Sequence, residues 1–497
     1  MLNDMIQLRP YQIEQIEQLR MKFATGAKRV ILCSPTGSGK TVTFTTIIAR
    51  TVQKDLFHRV LIITDRIELF KQTWATLRKI NLEPVIYNAS VKPTEPVAGR
   101  IVVAMIETLK SRWKRYGKLP IGEFDLIIID EAHKGNFKRV FEIFPESRVI
   151  GATATPIATT KKDPLKNYYD DIVANVTIPD LIESGNLVPE QVYSMRLLDK
   201  SKLDYSSSKG DYTEASQYIA FSERKLFDGL INAYRDKAVG RKTIIFCPNI
   251  QMSEDVAKML IGSGHENVFC LTSRNSTSRD EILKKFHKSD SGVMVNCGIL
   301  TTGYDHPEIE VCILYRATRS LPLYLQMIGR CSRPARGKSQ MTVIDMGGNV
   351  DEFGLWSDYR DWKDIFWNPP KKGNPQPAPV KDCPKCEAIL SVRVVECPYC
   401  KFKFPRQQSK DLMTGELVEV KPLIGRKVST LTAGELHILE KHGKIKATYA
   451  WRVARTKGDD YLKTYAKISG KKRGWLYYQS SKGKGFTDYT INHTFNA

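Results

Sequence analysis

Val30-Ile31-Leu32-Cys33-Ser34-Pro35-Thr36-Gly37-Ser38-Gly39-Lys40-Thr41 is the stretch that decides the fold. Its opening run is apolar and β-branched, as in a strand buried on both faces, and Val42, Phe44, Ile47 and Ile48 then recur at helical spacing. A strand that turns through a glycine-rich loop into a helix aims backbone N–H groups and a helix N-terminus at an anion. Gly37 and Gly39 let the backbone wrap phosphates, and Pro35, Thr36 and Ser38 complete the loop. Lys40 supplies a cation to the β and γ phosphates of ATP, and the Thr41 hydroxyl can ligate Mg²⁺. Ser34 stands where this pattern usually has glycine.

Working outward, short apolar runs alternate with helix-length segments. They are Val30–Cys33, Val60–Thr64, Ile101–Met105 and Leu126–Ile129, then Thr243–Phe246, Val293–Asn296 and Val311–Tyr315. Strands spaced by helices imply βαβ units and parallel sheets, and two such groups imply two α/β lobes. The stretch between them, near 196 to 222, has no pattern and contains Ser206, Ser207, Ser208 and Gly210, so it reads as a connector. Phe124 to Asp130 is a buried strand ending in Asp130-Glu131-Ala132-His133, two carboxylates at the edge where a parallel sheet presents ligands. Beside the phosphate loop, Asp130 would hold Mg²⁺ through its water shell and Glu131 would orient and deprotonate the attacking water.

The order of these motifs resembles a DEAD/DEAH-type superfamily-two helicase across roughly residues 5 to 350. The resemblance implies two tandem RecA-like lobes. It also implies that Gln12 reads adenine and that His133, Thr153, Thr155 and Gln326 couple the nucleotide to motion. Thr301-Thr302-Gly303-Tyr304-Asp305 resembles the segment that touches both nucleotide and strand, with Gly303 and Asp305 on the nucleotide side. Gln326-Met327-Ile328-Gly329-Arg330-Cys331-Ser332-Arg333 resembles the arginine-finger motif, implying that Arg330 and Arg333 cross a cleft to the γ phosphate. Such an arginine stabilises transition-state charge only when the lobes close. The same family implies strand contacts from Thr64 to Arg66, Thr108, Thr301 and Thr302, through hydroxyls and backbone amides that are tolerant of sequence.

After Trp367, five prolines between Asn368 and Asp382 give linker composition. Cys383-Pro384-Lys385-Cys386 and Cys397-Pro398-Tyr399-Cys400 follow, two C-x-x-C knuckles whose four thiolates suit a closed tetrahedral Zn²⁺ site of structural type. Iron in the same shell and a pair of redox dithiols are the alternatives, the latter without a thioredoxin-like context. The other six cysteines lie singly in or beside apolar runs and read as small core residues. Residues 401 to 497 carry 20 Lys and Arg against 8 Asp and Glu, which is +12 of the chain's +22. Trp451, Tyr461, Tyr465, Trp475, Tyr477 and Tyr478 are interleaved with those cations, offering stacking faces for bases; a core would need such aromatics too. A two-lobe motor, Cys₄ ribbon and basic tail resembles phage and bacterial repair helicases of the RadD type.

The expected organisation is therefore 1–195 first lobe, 196–225 connector, 226–367 second lobe and 368–382 linker. A zinc ribbon at 383–405 and a basic α/β or mixed nucleic-acid-binding region at 406–497 complete it. A charge of +22 points to a polyanion partner, and the chain has neither an apolar run long enough to span a membrane nor the sections of a signal peptide. A cytoplasmic protein is expected. The function expected is an ATP-dependent translocase or helicase acting on DNA with single-stranded or branched structure, in replication, recombination or repair. An ATP-gated annealing or sensing protein and the motor subunit of a restriction-type nuclease are the rivals, and a protein partner could dock on the C-terminal region.

Overall fold

The computed structural model describes residues 7–369, apart from 56, 66, 135–136, 159–162, 196, 208–209, 302–303 and 305. Beyond these it describes 380–382, 389–391, 402, 418–420, 436–437, 440, 454 and 459–469. The first sheet comprises β1 (Arg29–Cys33), β2 (Val60–Thr64), β3 (Pro84–Tyr87), β4 (Ile101–Met105), β5 (Leu126–Asp130), β6 (Arg148–Thr153) and β7 (Asp171–Val173). They lie in the order β3-β4-β2-β5-β6-β1-β7, and every pairing is parallel. The alternation of side chains along each strand explains why both faces are apolar. Ile31, Cys33, Leu61, Ile63, Ile127 and Ile129 enter one buried cluster, while Val30, Leu32, Val60, Ile62, Leu126 and Ile128 enter another on the opposite face. Helices Pro10–Ala24 and Lys40–Lys54 cover the second face with Leu19, Phe44, Ile48 and Val52.

The second sheet contains β8 (Glu190–Ser194), β11 (Thr243–Phe246), β12 (Val268–Leu271), β13 (Val293–Asn296), β14 (Val311–Leu314), β15 (Met341–Asp345) and β18 (Val418–Val420). Its order is β12-β13-β11-β14-β15-β8-β18, parallel except for the last pair. Three of the expected boundaries change. Residues 190–194, assigned by sequence to the first lobe, pair with β15 and belong to the second; Glu-Gln-Val-Tyr-Ser is too polar to announce a strand by itself. The expected connector is largely ordered, with β9 (Tyr205–Ser206) and β10 (Asp211–Tyr212) forming a hairpin ahead of the helix Glu214–Phe221. The Asp211 carboxylate accepts from Thr318 Oγ1 and Arg319 N, each at 2.7 Å, and fastens that hairpin to the second lobe. Third, β18 lies inside the region expected to be a separate basic tail, yet it completes the second sheet antiparallel to β8.

The helix Trp362–Trp367, the end of the expected second lobe, leans on the first: Lys166 Nζ donates to the Trp367 carbonyl at 2.9 Å. Farther on, β16 (Val380–Asp382) pairs antiparallel with β17 (Ile389–Ser391), bracketing the first cysteine pair in sequence. Cys383, Cys386, Cys397 and Cys400 themselves lie outside the described residues, as do Arg66, Thr302, Gly303, Asp305, Trp451 and Trp475. In the helix Asp459–Ile468, Tyr465 is fully buried with its hydroxyl on the Glu440 carboxylate, so this member of the aromatic series serves a core and not a stacking face. Of the six other cysteines, Cys33, Cys247, Cys312 and Cys331 are buried as expected, while Cys270 and Cys297 are only half-buried. Among the described residues no helix is long and apolar enough to cross a membrane.

Gly151 in the middle of β6 lies under the Tyr169 ring, where an added Cβ would meet ring atoms at 2.6 to 2.7 Å. Tyr169 is buried and edge-packed on Phe141, so the ring has nowhere to retreat. Gly151→Ala should therefore destabilise the first lobe by about 1–3 kcal/mol, the usual cost of overpacking, read as a lower denaturant midpoint with an unchanged slope.

Candidate active site

The first sheet presents its strand carboxyl ends to a cleft, and the second lobe meets it with the segment before β8 and the arginine motif, near the amino ends of β8 and β15. The site is assembled there from loops that follow β1, β5, β6 and the helix Leu321–Ile328. The phosphate loop leaves β1 at Ser34, whose N–H donates to the Thr153 carbonyl of β6 at 2.9 Å. Gly37 and Gly39 hold φ of 86° and 81°, the left-handed region that favours glycine, which is why these two positions carry it. Lys40 Nζ donates to the Ser34 and Pro35 carbonyls at 3.0 and 3.3 Å, so the ammonium is folded back over its own loop. Burial lowers its pKa, against the charges of Glu131 and Asp130, which raise it. Thr41 is half-buried at the start of the helix. Gln12 packs over the loop from the first helix: its Nε2 donates to the Ser38 and Gly39 carbonyls at 3.3 and 3.2 Å.

Asp130 ends β5 and Glu131 follows it, both residues buried. Glu131 adopts φ 53°, a strained backbone for a residue with a side chain, and its N–H caps Asp130 Oδ1 at 3.0 Å. Burial pushes the Glu131 carboxyl up, but His133 (by hydrogen bond and charge) and the charges of Lys40 and Lys134 hold it below the ordinary carboxylate range. Asp130 is pushed up by burial and then by the neighbouring Glu131 charge. Two adjacent buried carboxylates are oxygen donors of the kind that suits Mg²⁺. His133 Nδ1 lies 2.9 Å from Thr153 Oγ1 and 3.2 Å from Glu131 Oε2. The Thr153 hydroxyl also accepts from the Thr155 N–H at 3.1 Å, tying β5 and β6 through one imidazole.

The second lobe closes directly on this group. Gln326 Nε2 donates to Glu131 Oε2 at 3.2 Å, buried, across the two lobes. Gly329 abuts Thr36, and Gly37 lies within van der Waals reach of Leu187, Ser332 and the Arg333 stem. Arg330 NH1 donates to the Tyr304 carbonyl at 2.6 Å and Nε to the Gln326 carbonyl at 3.3 Å, and its charge is felt at Lys40. Arg333 is held in surroundings that depress its pKa through burial, to about 10. Lys40, Asp130, Glu131, His133, Thr153, Thr155, Gln326, Arg330 and Arg333 thus converge in one cleft.

Thr64 and Thr301 are buried, Thr108 is 8% exposed, and the Thr301 hydroxyl donates to the Gly298 carbonyl at 2.7 Å. Sequence reading also passed over the Lys134–Asp65 ion pair, 2.6 Å, which joins the loop after β5 to the loop after β2. A lysine beside the acid motif was its only signal.

Residues 5–158 match the family model described as type III restriction enzyme, res subunit, and residues 224–335 match the helicase conserved C-terminal domain. The chain is a helicase-type ATP-dependent motor. Among its relatives is a 51.5 kDa protein of a Lactococcus phage, 28% identical over 384 residues, covering 76% of this chain and 79% of that one. Another is a Saccharomyces cerevisiae protein named as an ATP-dependent helicase, IRC3, 28% identical over 364 residues; there the match covers 69% of this chain but only 51% of the relative. In fold the motor is similar to a fragment assigned as the HsdR subunit of a type I restriction enzyme from Vibrio vulnificus. That likeness has a TM-score of 0.54 at 22% identity, covering 74% of this chain and 67% of the other.

A Cβ on Gly329 would meet Thr36 side-chain carbons at 2.9 Å, so the helicase motor closes on a surface without room for a methyl group. Gly329→Ala should wedge the second lobe off the phosphate loop and lower ATP turnover by up to about 10²-fold, since an ångström of misplacement can cost that much. Binding of a fluorescent ATP analogue, contributed mainly by the first lobe, should stay within a few-fold of parental.

Proposed function

We propose that this motor translocates on DNA and separates or remodels duplexes in replication, recombination or repair. The observation that carries the reading is the closed cleft in which Glu131 is held by His133 from its own lobe and by Gln326 from the other. In that reading Lys40 neutralises the phosphates, Thr41 and Asp130 hold Mg²⁺, and Glu131 orients and deprotonates the attacking water. Arg330 and Arg333 stabilise the charge that develops on the transferred phosphate, and Gln12 recognises adenine. Bound Mg²⁺ supplies charge neutralisation of the phosphates. Lys40→Ala should weaken ATP binding and abolish turnover, whereas Glu131→Gln should bind ATP normally and lose hydrolysis, because only the base is removed. A Glu131→Gln protein hydrolysing ATP at the parental rate would sink the assignment.

The reading extends to the C-terminal residues. Cys383, Cys386, Cys397 and Cys400 are the donor set of a closed structural Zn²⁺ site, and the basic residues after it grip DNA beside the motor, with single-stranded or branched forms as substrate. Since β18 belongs to the second sheet, wholesale removal of residues 381–497 would injure the motor as well as the grip. Replacing Lys471, Lys472 and Arg473 with alanine is the cleaner test. Affinity for forked DNA should fall, and the slope of log K against log salt should become shallower by roughly 0.9 for each phosphate that is no longer neutralised. Unchanged slopes would favour a docking site for a protein partner.

A second reading, motor subunit of a restriction-type nuclease, draws support from the family description matched by residues 5–158. Strand displacement by the isolated protein separates the two: the helicase reading requires it, and co-purification of a nuclease without it favours the subunit.

A further inference from the structure

Lys338 sits five residues beyond Arg333, at the end of a tight turn. Its N–H donates to the Ala335 carbonyl at 3.0 Å, and Gly337, third in the turn, has φ 78°, a conformation other residues rarely adopt. The turn sends the side chain inward, and only 8% of the residue remains exposed. There the ammonium donates to three main-chain carbonyls: Pro307 at 2.8 Å, Ile309 at 2.6 Å and Cys331 at 2.6 Å. An ammonium has three donors and no acceptor, so this cage satisfies it completely. An apolar side chain could fill the same volume without the cost of burying a charge. What an apolar side chain could not do is draw three carbonyls from two separate segments onto one point.

Those segments are the ones that orient the finger arginines. Pro307 and Ile309 follow Tyr304, whose carbonyl holds Arg330 NH1 at 2.6 Å, and Cys331 lies between Arg330 and Arg333. The loop after β13 and the arginine motif are thus fastened at two points, by Arg330 at one end and by Lys338 at the other. We propose that Lys338 is a positioning residue for ATP hydrolysis, a clip that keeps Arg330 and Arg333 in register with the phosphate loop. The proposal rests on the reading of Arg330 and Arg333 as cleft-crossing residues.

Burial depresses the Lys338 pKa from the ordinary lysine value to about 8. The charged or titratable groups that face it are Cys331, Glu310, Arg333, Arg241 and His306; Cys331 and Glu310 favour the ammonium, while Arg333 and Arg241 oppose it. A neutral amine has two donors for three carbonyls, so one strap of the clip is released as pH rises. The sign for stability is opposite. The folded chain gives up this proton at a lower pH than the unfolded chain, so deprotonation between about 8 and the ordinary lysine range does not itself lower folding stability. A fall in turnover within that window therefore reports geometry and not unfolding.

The test compares parental protein, Lys338→Met and Arg330→Ala as full-length chains, in ATPase assays with forked DNA from pH 7 to about pH 9. In the parent, kcat should decline above about pH 8 with little change in KM for ATP. Lys338→Met should show kcat lower by about 10-fold at pH 7 with KM within a few-fold, and its profile should be flat across the same range. Parental kcat in Lys338→Met, an alkaline limb retained there, or an effect confined to KM overturns the clip. Arg330→Ala separates the two claims. If Arg330→Ala keeps full turnover, the finger reading fails and the clip with it; if it loses turnover while Lys338→Met keeps it, the clip alone fails. Should circular dichroism show that Lys338→Met does not fold, the parental profile decides, and kcat constant to about pH 9 refutes the proposal.

Discussion

The Gln326 amide on the Glu131 carboxylate joins the two lobes at the atom where chemistry would begin. A hydrogen bond to a buried charged oxygen is stronger than one between neutral groups and is costly to leave unmade. Much else is arranged around it. Glu131 tolerates φ 53° because its side chain is held from two sides, by His133 and by Gln326. The small residues Gly37 and Gly329 let the loops approach closely enough for the bond to form. Continuous apolar packing then sustains the closure: a single buried cluster includes Ile129 and Leu187 on one side and Tyr324, Leu325 and Ile328 on the other.

Electrostatics give the cleft its other constraint. Lys40 lies against its own loop carbonyls, while Asp130 and Glu131 crowd one another behind it. An incoming polyphosphate would replace the neutral carbonyl acceptors of Lys40 with anionic oxygens, and a divalent cation would relieve the paired carboxylates. Both partners are thus favoured by tensions that the side chains of the cleft set up among themselves.

Much of this was readable from residue types alone. Strands buried on both faces announce themselves as unbroken apolar runs, and the runs at β1, β2, β4, β5, β11, β13 and β14 were legible to within a residue or so. The edge strands β3, β7 and β12 were not, because a short strand is defined by its neighbour more than by its own side chains, and neither was β8, which lies between β15 and β18 but is polar in sequence. β6 and β15 had central positions but carried Gly151, or lay close behind the arginine motif, and their runs went unread. Nucleotide-side residues were legible because phosphate chemistry dictates their type and spacing. Hydrogen bonds made to main-chain carbonyls, as by Lys338 and Arg330, leave no such pattern, and the inward turn of Thr301 depends on a carbonyl three residues away.

The anchors on either side of the cysteine-bearing segment lie on different lobes. Trp367 is fastened to Lys166 of the first lobe, while Val418–Val420 is zipped onto β8 of the second. The chain therefore has one fixed point on each lobe, at Trp367 and at Val418, on either side of the four cysteines in sequence. Any stroke that parts or rotates the two lobes alters the distance between those two points, as a hinge changes the gap between marks on its two leaves.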